Sequence, residues 1–145
     1  MTAIDFIKRF TPTPFAATFA LSGASIRVET NCQEVVDRLL NIFPTPVVNG
    51  SDRPTFVWRV VAEADNDVEP EAESSSVHRL SYAGLSFITL GQKNFLACDW
   101  QSRLGISFVS QDLVTDERLF RRYFLPAMIS LLTESAEKES IEAHL

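Results

Sequence analysis

Residues 76–110 read "SVHRLSYAGLSFITLGQKNFLACDWQSRLGISFVS". Four strand-like pieces, "SVHRLSY", "LSFITL", "NFLACDW" and "RLGISFVS", are separated by Ala83-Gly84, by "GQKN" and by "QS", connections of hairpin length. A meandering antiparallel sheet follows from that spacing, and everything else in the chain must be placed around it. His78 shares a face with Leu80 and Tyr82 by alternation, which predicts a packed histidine with one satisfied nitrogen.

Upstream, "FAATFAL", a Ser22-Gly23 turn and "ASIRVET" predict a hairpin, because Ile26 and Val28 alternate with Ser25, Arg27 and Glu29. The helix "NCQEVVDRLLNIF" comes next, with Val35, Val36, Leu39, Leu40 and Phe43 in one stripe. Asn31, with Glu34 three residues on, resembles a capping box, and Pro44 stops the helix. After a loop rich in proline, "TFVWRVVAE" predicts a strand with both faces largely apolar. Residues 1–14 form a lead-in: "DFIKRF" has the length of one helical turn, and "TPTP" forbids regular structure.

Downstream, Thr115 and Asp116 offer a cap for "ERLFRRYFLPAMISLLTESAEK". Leu119, Phe120, Tyr123, Phe124, Leu125, Met128, Ile129, Leu131 and Leu132 leave this helix hardly any polar side over its second half, and Pro126 predicts a kink or restart. One small sheet covers one side of such a helix. The expectation is therefore that a further layer packs on it, with Tyr123, Leu125, Met128, Ile129 and Leu132 as the candidate interaction surface.

The fold class expected from these elements is α+β: an antiparallel meander sheet of about six to seven strands, one helix over residues 32–43 packed on it, and a C-terminal helix. Residues 15–138 make a single domain with an acidic loop at 63–76. The chain's 145 residues suffice for an ordinary core, and its 46% apolar and 22% charged composition is that of a globular protein without a membrane span. The start "MTAIDFIKRF" carries Asp5 and lacks a continuous apolar run, so a secretory signal is not expected and the cytoplasm is the default location.

The net charge of −6 resides in one stretch: Glu63, Asp65, Asp67, Glu69, Glu71 and Glu73 lie within residues 63–73 without a base. That is the pattern of a solvated connection, and an acidic balance without a basic stripe argues against nucleic acid. Asp65, Asn66 and Asp67 lack the glycine and terminal glutamate of a calcium loop. Cys32 and Cys98 are too few and too far apart for a metal site or a disulfide framework, and read as buried reduced thiols; His78 and His144 stand without partners at ligand spacing. Neither a phosphate loop nor a G-x-S-x-G elbow occurs, and no histidine pairs with a nucleophile and an orienting group. Arg118, Arg121 and Arg122 share a helical turn and read as a solvated face. No catalytic residue, cofactor or metal is expected, so the residues predict a protein that is not an enzyme.

"LSGASIRVET", "EVVDRLLNIFP", "FVWRVV", the meander and "FLPAMISLLTE" before "IEAHL" resemble, in order and hydrophobic pattern, the region preceding the nucleotide-binding domain of HPr kinase-like P-loop proteins. The resemblance implies that residues 139–145, with Ile141, Ala143 and Leu145 alternating, are the first strand of a following domain, and that the chain is an accessory or regulatory module without kinase activity of its own. Its partner would be that downstream nucleotide-binding domain or the domain's protein substrate. The rival expectation is a self-contained ligand- or peptide-binding module that pairs with a second copy of itself through the C-terminal helix. Neither reading involves a membrane.

Overall fold

The computed structural model describes residues 11–21, 24–43, 56–64, 77–82, 84–91 and 93–143, with the backbone alone at 77, 82 and 135–143. The elements are β1 (Phe15–Leu21), β2 (Ala24–Thr30), α1 (Gln33–Ile42), β3 (Phe56–Glu63), β4 (Val77–Tyr82), β5 (Leu85–Leu90), β6 (Asn94–Asp99) and β7 (Leu104–Ser110). A short helix α2 (Gln111–Thr115), one turn α3 (Glu117–Leu119), a π-helical turn at Phe120–Phe124 and the long α4 (Leu125–Ala143) complete the chain. The fold is α+β, as the periodicities predict.

All seven strands form one sheet in the order β1-β2-β3-β7-β6-β5-β4. The β1/β2 hairpin and the β4–β7 meander are antiparallel, but β3 runs parallel to β2 and to β7, so the sheet is mixed where the sequence predicts an antiparallel one. The first parallel pair follows from α1, which carries the chain back across the sheet between β2 and β3. The second arises because the meander returns its last strand, not its first, to the centre.

The packing at that seam explains why β7 fits there. Trp58 of β3 lies flat against Gly105, where an added Cβ would sit 2.1 Å from the ring, and its indole N–H donates to Ser107 Oγ at 2.7 Å. Two small residues one rung apart on β7 make the slot for the largest side chain in the core. Ile26, Val28, Trp58, Val60 and Leu96 share this face, and one core cluster joins them to Val35 and Leu39 of α1, Leu113 and Val114 of α2 and the last helix.

Asn31 does not cap α1. Cys32 occupies the cap position without a side-chain bond, while the Asn31 amide exchanges two 2.8 Å hydrogen bonds with the backbone of Ala62. The side chain thus adds one rung to the β2/β3 ladder beyond Thr30 and Val60. Asp116 behaves as its position predicts, accepting from the N–H groups of Arg118 and Leu119. At Pro126 the expected restart takes the form of the π-helical turn: Leu125 N–H reaches the carbonyl of Phe120, five residues back, just before the proline that can donate nothing.

The acidic connection from residue 65 to 76, the loop 44–55, the Ser22-Gly23 turn and His144 lie outside the described residues. The backbone is helical through Ala143, so residues 139–143 of the segment predicted as a strand continue α4 instead, and residues 144–145 lie outside the described residues. Among the described residues, no helix is long and apolar enough to cross a membrane.

Candidate functional site

Every described helix joins the core on the Trp58 side of the sheet. The pairing register places Val57, Arg59 and Val61 of β3, Leu104, Ile106 and Phe108 of β7, Phe95 and Ala97 of β6, Leu85 and Phe87 of β5, and His78 and Leu80 of β4 on the other side. These strands therefore alternate apolar with apolar. Phe87, Phe95 and Phe108 form a ladder across three adjacent strands, with ring centroids 5.5 and 6.2 Å apart. Leu80 is 65% and Leu104 41% exposed, and the phenylalanines are half-buried. The same face turns polar on β2, where Arg27 and Glu29 pair at 3.0 Å. The apolar band is thus confined to the strands from β3 to β4.

The candidate surface predicted on the last helix divides. Met128 and Leu132, 0% and 6% exposed, belong to this domain's own core with Phe120, Phe124, Ala127 and Leu131. These six repeat at ordinary helical spacing and face the sheet, which is why they need no outside cover. Tyr123, Leu125 and Ile129 flank the stripe and are half-buried. Arg122 lies over the Tyr123 ring at 5.4 Å and Arg121 pairs with Glu117 at 3.2 Å, the behaviour of a solvated face.

Two polar clusters hold this helical layer in place. Glu134 accepts from Arg79, from Ser81 Oγ at 3.1 Å and from Ser86 Oγ at 2.7 Å, and Arg79 also donates to Ser130, so the edge hairpin β4/β5 is tied to α4. Arg38 of α1 donates to the carbonyls of Val114 and Thr115 at the end of α2 and lies 5.9 Å from the Phe120 ring centre. Neither cluster is visible in the sequence, because each joins residues far apart in the chain or depends on a helix as short as α2.

Among the described residues, groups with chemical potential do not converge. His78 is exposed on the edge strand and not packed between Leu80 and Tyr82 as its alternation suggests, because no described element lies over that face. Cys98 is buried in the core and Cys32 half-buried at the start of α1. A cavity of about 290 Å³ opens beside the ends of β3 and β7, lined by Glu63, Ala64, Lys93, Phe108, Val109 and Ser110. It contains neither a histidine nor a cysteine, and no group of metal ligands occurs among the described residues. The arrangement suits contact with another apolar surface. Comparison with protein-family models, with curated proteins and with solved structures finds no significant match to this chain.

Proposed function

We propose that this chain is a non-catalytic accessory domain of an HPr kinase-like P-loop protein, and that it docks on the nucleotide-binding domain through the apolar band from β3 to β4. One observation carries the docking: Leu80, Phe87, Phe95 and Phe108 form a continuous apolar strip over four strands, on a face without a described helical layer. A strip of this kind on a soluble domain marks a contact surface, and aromatic side chains supply most of the energy in such contacts. The order of elements that resembles the HPr kinase-like region supports the choice of partner.

The test mixes the chain with a separately purified P-loop domain of an HPr kinase-like protein and follows binding by calorimetry. Phe87→Asp should weaken the complex by about tenfold or more, as loss of an aromatic anchor does, whereas Arg121→Ala on the helical side should leave it unchanged. Failure of the wild-type chain to bind that domain refutes the partner. Self-association that Phe87→Asp abolishes would instead support the reading as a homodimeric module.

A further inference from the structure

We propose that β4 is a pairing edge, and that two copies of this chain join β4 to β4 across a two-fold axis at Leu80 to make one continuous sheet. β4 is the last strand of the sheet, with β5 on one side and no described strand on the other. Trp100 N–H donates to the carbonyl of Gly84, so even-numbered residues of β5 turn their backbone groups to β6 and odd-numbered ones to β4. Leu85 therefore bonds with Tyr82, Leu80 and His78 bond inward in turn, and the backbone groups of Val77, Arg79 and Ser81 face out. Natural edges are blunted by proline, by bulges or by exposed charge. β4 has none of these: its pairing with β5 is uninterrupted from Val77 to Tyr82, and its Arg79 is tied to Ser130 and Glu134 of α4. Leu80 is 65% exposed, more than any other large apolar side chain among the described residues, whereas β1 at the opposite edge exposes none.

The occupant is a second copy because the strand complements itself in one register. Antiparallel pairing across the outer edge brings odd residues to odd. Centred on Arg79, it sets two guanidinium groups directly opposite each other, which is unfavourable. Centred on Ser81, it runs past the end of the strand at Tyr82. Centred on Leu80, it sets Leu80 against its own copy at the close, non-hydrogen-bonded spacing of about 4.5 Å between Cα atoms. Arg79 then exchanges both backbone hydrogen bonds with Ser81 of the second copy. Ser81 Oγ donates to Glu134 at 3.1 Å, so Arg79 of each copy also comes beside a carboxylate of the other, and charges alternate across the axis. On the open face the two Leu80 side chains leave water and join the apolar bands of both copies end to end. One short strand buries much less than the roughly 1,200 Å² of a stable complex, so the dimer is weak, with Kd on the order of 100 μM, and the chain is monomeric at micromolar concentration. The pairing uses the edge and leaves the face of Phe87, Phe95 and Phe108 open, so it does not rest on the proposed docking.

The test is oxidative cross-linking of the 145-residue chain carrying Cys32→Ser, in which Cys98 is buried. Leu80→Cys should form a disulfide-linked dimer about tenfold faster or more than His78→Cys, whose copies lie about 13 Å apart along the paired strands, beyond disulfide reach. Sedimentation of the natural chain from about 10 μM to about 1 mM should show a rising mean mass. Leu80→Lys, which sets two cations face to face, should weaken that association by about tenfold or more with circular dichroism unchanged, and Phe87→Asp should leave it as it is. Equal cross-linking at the two positions, or a natural chain that stays monomeric at the highest concentration, overturns the proposal. Association that Phe87→Asp abolishes and Leu80→Lys does not also overturns it, and places the contact on the sheet face.

Discussion

The two faces of the sheet are built from the same strands and nearly the same chemistry, yet they end in different states. On one side Trp58, Val60 and Leu96 are fully buried under three helices; on the other Phe87, Phe95 and Phe108, carried by the same sheet on the opposite parity, are half-buried, and Leu80 and Leu104 are exposed. For these residues the helical layer above, and not hydrophobicity, separates the buried from the half-buried. Within the second face the contrast repeats: β2 presents the Arg27–Glu29 pair, as a solvated face should, whereas β3 to β4 present an apolar band. A strand that is apolar on both parities specifies a sheet with two covers.

The comparison breaks first at the β3/β7 seam. Gly105→Ala puts a methyl group inside the Trp58 ring, which its hydrogen bond to Ser107 and complete burial hold in place, so a loss of about 3 kcal/mol or more is expected by urea denaturation. A loss under about 1 kcal/mol would show that the indole can shift. The next test uses adjacent residues on β6. Leu96→Ala, on the covered face, should cost about 2–5 kcal/mol as a cavity in a packed core, whereas Phe95→Ala, on the other face, should cost about 1–2 kcal/mol for its partial burial. Equal losses would erase the distinction between the faces. Leu80→Ser should have the smallest effect, within about 0.5 kcal/mol, since its side chain is already in water on the edge strand.

Strands and α1 are legible in the sequence because hairpin-length connections and side-chain periodicity are local properties. Asn31 is ambiguous for a local reason too: its short amide serves equally well as a helix cap or as a ladder rung, and the presence of Ala62 beside it is a tertiary fact. The parallel placement of β7 against β3 is likewise hidden, although Gly105 and Ser107 alternating on one strand mark the slot once Trp58 is known to need one.

The apolar character of the last helix is plain in its residues, but composition alone does not separate the six buried ones from the flanking Tyr123, Leu125 and Ile129, so the pattern suggests a single surface where the fold makes two. The band from β3 to β4 does carry a signal in the sequence. Phe87, Phe95 and Phe108 occupy the parity opposite to Ile88, Leu96 and Val109, so each strand offers an apolar side to both faces.

The most direct test of this division is a pair of charges read by thermal unfolding. Met128→Lys places a cation in the core under the sheet and Phe87→Lys places one on the apolar band. The account predicts that Met128→Lys abolishes cooperative unfolding, while Phe87→Lys unfolds cooperatively with a midpoint within about 10 °C of the parent chain. A cooperative Met128→Lys protein alongside an unfolded Phe87→Lys protein would contradict it, and would return the contact surface to the last helix.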